Sequence, residues 1–342
     1  MSSPPNSSIS PPPDSQTLLS HNPLPQFSKN SCSSKTTEAP YQQHRPSLTG
    51  AAPISLRHTL HSGHLPLLLQ LSSSSLSSPH PPPAIPVLAP RCSYLHVCCA
   101  DALSSLAKFA VQSFEGAWFS EQSSEEDCQK CPLRWTIPVG VLFDIRSKPT
   151  TGLPWILDIH FIRYPHTVLP PLSSSLTEVR RSHLHALKQS LYILHGNASV
   201  ALTGLTRSVS ESLFESLRKG DGEGHARVLR SMLTPTDGRG IRSIPVRMYV
   251  IFDDNENGQV LQCLQRPVYP NFEEVGKRTK SMTLGRLVDD WIGGDEDSVK
   301  KPSVTVQGAK VPLQVPLENL WGWMHHPDLF LYVIVRFGRV NL

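Results

Sequence analysis

In the stretch "SHLHALKQSLYILHG" (182–196), Lys188 is the only lysine between Lys148 and Lys219, although arginines stand nearby at Arg180, Arg181 and Arg207. The two kinds of cation differ in what they can do. An arginine stays protonated and is no nucleophile, whereas an amine can shed its proton and attack a carbonyl or thioester carbon. A free lysine titrates near 10.4, so only about a thousandth of it is the neutral amine close to pH 7. Attack therefore needs an amine held in place, and partial desolvation helps it lose its proton. Helical spacing predicts such a position. Leu184, Leu187, Leu191 and Leu194 share one side of a helix, and at about 100° per residue Lys188 falls just beyond the edge of that stripe. Its stem can rest on apolar surface while the nitrogen reaches water.

The other residues with chemical potential read as structural. Cys128 and Cys131 have the spacing of a metal knuckle, but no second pair completes the four ligands of a structural zinc site. Asp253, Asn255 and Asn257 match the first half of a calcium loop, yet its last position is Leu264 and the flanks read as strands. The Gly-rich "GDGEGH" (220–225) follows a helix and so lacks the strand that a phosphate cradle needs. His183, His185, His325 and His326 have no nearby ligand pattern and are expected at the surface or at edges. No GxSxG occurs, and no cysteine pairs with a histidine in the local sequence. Neither a cofactor nor a metal is expected, and an independent active site is the weaker hypothesis.

Elements that would position Lys188 can be read along the chain. Ser and Pro fill 21 of the first 50 residues, which predicts a disordered tail over 1–55 and, from a second cluster, a long loop over 72–86. "HLPLLLQL" (64–71) and "RCSYLHVCC" (91–99) read as strands and "DALSSLAKFAVQSF" (101–114) as a helix opened by Asp101. "AWFSEQ", "LRWTIPVGVLFDI" and "LPWILDIHFIRYP" (153–165) read as further strands. Strand, strand, helix, strands is the order of a ubiquitin-like β-grasp domain, expected over 56–170. Three- and four-residue apolar spacing from Leu176 to Leu233 predicts a helix-rich domain over 171–240, closed by the breaker "TPTDGRG". A second β-grasp domain is expected over 241–342. There "IPVRMYVIF" (244–252) and "VLQCLQRPV" (260–268) flank an Asn257-Gly258 turn, with a helix over 283–294 and two closing strands. The fold class is α+β.

Composition narrows the function. A net charge of +4 is too mild to imply nucleic acid binding, and no run approaches the ~20 apolar residues of a membrane helix. The opening "MSSPPNSSIS" has neither the basic nor the apolar part of a signal peptide, so the seven cysteines are expected as thiols and the sequon at Asn197 as chance.

Five strings then resemble one family in order and spacing: "LAPRCSYL" (88–95), "PLRWTIPVGVLFD" (132–144), "LPWILDIHFIRYP", "IPVRMYVIF" and "PLENLWGWMHHPDLFLYVIV" (316–335). The family is autophagy protein 5, and the resemblance spans about residues 60–338. It implies two ubiquitin-like domains flanking a helix-rich one. It also implies an isopeptide bond from one lysine to the ubiquitin-like autophagy protein 12. In "HLHALKQS" Lys188 occupies the family's acceptor position. Non-covalent capture of a helix of autophagy protein 16 is implied too, with Arg91 matching a residue that contacts it. The alternative for Arg91 is a structural ion pair. The resemblance further implies an E3-like complex without an active site of its own, passing contacts with the E2-like proteins 10 and 3, and lipidation of protein 8. Its place is the cytoplasm and, peripherally, the preautophagosomal membrane. Two rival readings are a generic adaptor without conjugation and a cysteine- or metal-dependent enzyme using Cys128 and Cys131.

Overall fold

A computed structural model describes residues 54–111, 116–122, 131–147, 152–172, 176–233, 241–254, 258–272, 279–293 and 302–337. All of them belong to the unit Pro46–Leu342. The expected tail up to residue 53, Cys128, the Asn257 turn and the breaker "TPTDGRG" lie outside the described residues.

The first layer is a four-stranded sheet in the order β2-β1-β4-β3. Helix α1 (Ile54–His61) leads into β1 (His64–Leu71), whose leucines at 65, 67, 69 and 71 alternate into the core as its pattern requires. Strand β2 (Ile85–Pro90) pairs antiparallel with β1, so the expected loop over 72–86 ends inside a strand.

The run 91–99 is a correction. It forms a turn and helix α2 (Leu95–Cys98), followed by α3 (Ala100–Leu106). Leu95, Cys99, Ala102 and Leu106 are buried at helical spacing, a three-four period that the apparent alternation concealed. Strand β3 (Trp118–Glu121) is as expected. "LRWTIPVGVLFDI", expected as a strand, is a turn followed by helix α4 (Val139–Arg146). The run is apolar all round because α4 is buried on most of its circumference, which erases the amphipathic signal. Gly140 lets α4 approach closely, since a Cβ there would sit 2.9 Å from that of Arg91. Strand β4 (Trp155–His160) then runs parallel to β1 at the sheet centre.

The helical middle comprises α5 (Thr177–His195), α6 (Ser199–Gly204), α7 (Arg207–Lys219) and α8 (Gly222–Leu233). Gly196 ends α5 at φ 71°, and the Thr206 hydroxyl accepts the Val209 amide at the start of α7.

The second layer has the order β10-β9-β11-β5-β6. Strands β5 (Ile244–Asp254) and β6 (Gly258–Val268) form the expected hairpin, followed by a short ribbon of β7 (Asn271–Phe272) and β8 (Lys280–Ser281). Helix α9 (Leu284–Ile292) is capped by Thr283, and β9 (Ser303–Val306) turns into β10 (Ala309–Lys310). Helix α10 (Leu317–Met324) was not anticipated. Strand β11 (Leu331–Phe337) lies parallel to β5.

Both β5 and β11 are buried on two faces. Met248, Val250, Val333 and Val335 join the core formed with α9 and α10, while Tyr249, Ile251, Tyr332 and Ile334 join the core of the first sheet. Helix α5 enters all three cores, through Ala186, through Leu187, Leu191 and Leu194, and through Val179. That ties it into every core.

Candidate functional site

Lys188 sits midway along α5. Leu187, Leu191 and Leu194 are buried, as the helical stripe requires, while Arg181, His185, Lys188 and Tyr192 are exposed at spacings of four, three and four. Among the described residues nothing pairs with the Lys188 amine. The two residues after it are tied down instead. Gln189 Oε1 accepts from Arg247 Nη2 at 3.2 Å, and the buried Ser190 hydroxyl donates to the Asp328 carbonyl at 2.6 Å. Lys188 is thus a solvent-facing amine on a helix held at its back.

Arg91 follows β2 at the seam between the two sheets. One terminal nitrogen donates to both carboxylate oxygens of Asp144 on α4, at 2.6 and 2.7 Å, and to the Gly140 carbonyl at 3.4 Å. The turn between β9 and β10 presses on the same guanidinium, with Gly308 against it. Burial pushes the Asp144 carboxyl upward, against the pull of Arg91. The ion pair held as the alternative for Arg91 is present. A small pocket lies beside it, lined by His61, Pro90, Cys92, Ser93, Leu217 and Pro327.

The histidines are a correction. His183, His325 and His326 are buried, and only His185 is exposed as expected. The His183 ring lies edge-on to Tyr94 and to His225, with centroids 5.9 and 5.8 Å apart. His326 meets Tyr332 at 4.8 Å, and Arg57 of α1 bonds to the His325 ring. Burial lowers His183 to about 4 and His326 to about 3, so both imidazoles are neutral. Residues far apart in sequence meet at this junction, which no local pattern could show.

Ser120 Oγ lies 2.9 Å from His160 Nε2, and Asp158 stands two residues back on the same strand, an arrangement of nucleophile-and-base type. Ser120 is fully buried, however, and Trp118 stacks on His160 at 3.8 Å, so no substrate reaches it. Cys98 ends α2 and Cys99 forms the turn into α3, so neither lies in a strand; Cys99 is buried and its thiol is raised, first by its contact with Cys98 and then by burial. Among the described residues no three His, Cys, Asp or Glu side chains could hold a metal ion together, and no helix is long and apolar enough to cross a membrane.

Sequence reasoning missed the polar cluster beneath α5. Arg247 donates to Tyr332 Oη and Gln265 Oε1, each at 2.9 Å, and lies over the Phe330 ring at 3.7 Å. The Tyr332 hydroxyl donates to Asp328 Oδ2 at 2.6 Å. An arginine inside "IPVRMYVIF" and an aspartate just before "LFLYVIV" were the available signals, since charges within buried strands must find partners.

Comparison with known proteins gives three family models in chain order. The Autophagy protein ATG5 UblA domain matches residues 60–161, its alpha-helical bundle region 176–235, and its UblB domain 243–335. Autophagy protein 5 of Aspergillus fumigatus is 24% identical over 319 residues, covering 82% of this chain and 95% of that one. That of Arabidopsis thaliana is 26% identical over 330 residues, covering 80% and 95%. The crystal structure of Kluyveromyces marxianus Atg5 superposes with a TM-score of 0.64 at 22% identity, over 82% of this chain and 99% of that one, a likeness of fold. With two ubiquitin-like domains around a helical bundle, matched in order by one family's models, the chain belongs to the autophagy protein 5 family and serves the conjugation machinery of autophagy.

Proposed function

We propose that the chain is the covalent acceptor of the ubiquitin-like autophagy protein 12, through Lys188, and the scaffold of an E3-like complex with autophagy protein 16. The observation carrying this reading is the placement of Lys188: an exposed amine without a counter-ion among the described residues, on a helix rooted in three cores.

In the reaction, the Lys188 ammonium first gives up a proton. The neutral amine then adds to the thioester carbonyl of protein 12, carried on the E2-like protein 10. The nitrogen sheds its surplus proton, the carbon–sulfur bond breaks, the carrier's thiolate leaves and takes up a proton, and an isopeptide bond remains. This chain contributes the nucleophile and its position; the activated carbonyl arrives with the carrier.

The conjugate then works by position. Protein 16 is the proposed non-covalent partner, in a helix-in-groove mode, with Arg91 carried over from the resemblance as its contact. With the E2-like protein 3 the complex promotes lipidation of protein 8, at the preautophagosomal membrane to which this cytoplasmic chain is peripheral. Residues 56–170, 171–240 and 241–342 are the three working domains of this reading.

The test is reconstitution with charged protein 10. The expected result is an adduct of the chain that survives denaturation and thiol reductant, lost in Lys188→Arg while protein 16 still binds. Absence of any such adduct on the unaltered chain would favour a non-covalent adaptor.

A further inference from the structure

Ala186, the Leu187, Leu191 and Leu194 stripe, and Val179 pack α5 into three cores, and directed bonds narrow whatever rotation about its axis that packing leaves. A roll of about 20° would sweep an amine standing roughly 8 Å from that axis through about 3 Å. Directed bonds that refine the roll stand directly after Lys188.

Gln189 Oε1 takes its hydrogen bond from Arg247 Nη2 at 3.2 Å. The guanidinium that donates it is itself immobilised. Its Nη1 donates to Tyr332 Oη and its Nε to Gln265 Oε1, its plane covers Phe330 at 3.7 Å, and the Asp328 carboxylate lies 3.7 Å away. One residue further on, Ser190 bonds to the Asp328 carbonyl. The second ubiquitin-like domain thus grips α5 at the turn that carries Lys188. We propose that Gln189 and Arg247 are positioning residues for conjugation: their bridge fixes the roll of α5 and so the attack geometry of the Lys188 amine. This inference rests on the reading of Lys188 as the acceptor.

Gln189 is the better handle, because it is half-buried at the surface while Arg247 holds the Tyr332, Gln265, Phe330 and Asp328 cluster together. The experiment is single-turnover transfer of protein 12 from charged protein 10 to the full chain, over a range of carrier concentrations, alongside a melting curve. Gln189→Leu keeps the bulk and removes the acceptor. Gln189→Glu restores an acceptor and adds charge, which strengthens the bond to a guanidinium. In Gln189→Leu the maximal rate should fall about tenfold, as for a small misplacement of a reacting group. Half-saturating carrier and melting midpoint should stay unchanged, and Gln189→Glu should recover the rate. An unaltered maximal rate in Gln189→Leu would overturn the proposal, as would a loss that tracks the melting midpoint or is not rescued. Failure of the acceptor reading shows elsewhere, as an adduct persisting in Lys188→Arg whatever Gln189 does.

Discussion

Lys188 projects from the exposed face of α5 with no counter-ion among the described residues, whereas Arg91, 14% exposed, is held by the Asp144 carboxylate at 2.6 Å. A charge withdrawn from water has to be paired, and pairing makes it part of the framework. A charge left in water costs little unpaired and stays available. The same contrast runs through the molecule. At the domain junction His183 and His326 are buried and neutral, while His185, on the same stripe as Lys188, faces solvent. The junction is built to hold, while the exposed face of α5 stays open to solvent.

That comparison breaks most sharply at the ion pair. Asp144→Ala leaves the Arg91 guanidinium with no carboxylate in a mostly buried site and should cost about 3–5 kcal/mol. Denaturant titration reads this directly. Arg91→Glu should cost at least as much, because two carboxylates would face each other, so a loss of protein 16 binding in that variant must be read against its stability. An Asp144→Ala midpoint equal to that of the unaltered chain would remove the framework role of Arg91.

Acid is the next lever. The folded His183 titrates at about 4, below the usual value near 6.5 of an unfolded chain. The unfolded state therefore binds more protons through that window, and stability falls as pH drops from about 6.5 toward 4. Each such imidazole should cost on the order of 1 kcal/mol by pH 5.5. Tyr94 and His225 face His183, and His225 is lowered by burial in the same direction. Burial raises Asp144 and Asp328, which bind protons in the fold and so oppose the loss at the acid end. A denaturation midpoint independent of pH between 7.5 and 5.5 would contradict a neutral, buried cluster.

Helix α1 gives a smaller effect. Its Arg57 and His61 both bond to His325, and the helix packs on α8 and α10. Deletion through residue 63 should cost about 1–3 kcal/mol through lost hydrogen bonds and packing. Deletion of residues 1–53 should leave the melting midpoint where it is. Lys188→Arg should also change stability little, within about 0.5 kcal/mol, as for an exposed helix position away from special features.

How much of this was legible in the sequence follows from where each signal is local. Strand β1 was readable because Leu65, Leu67, Leu69 and Leu71 bury one face only, and α5 because its leucine stripe is clean. The alternation in 91–99 misled, since nine residues satisfy both a two-residue and a helical period, and the burial of Leu95, Cys99 and Ala102 decides it only in three dimensions. Helix α4 was hidden by burial on most sides. The exposed setting of Lys188 was readable from one helix, whereas the Arg91–Asp144 pair spans 53 positions and the Arg247–Tyr332 bond 85, beyond any local pattern.

Peptide mass mapping of the protein 12 adduct tests the central claim most directly. The unaltered chain should yield a branched peptide carrying the C-terminal glycine of protein 12 on the Lys188 amine, and Lys188→Arg should yield no branched peptide, with its melting midpoint and protein 16 binding retained. A branch on Lys148 or Lys219, in either protein, would contradict the assignment.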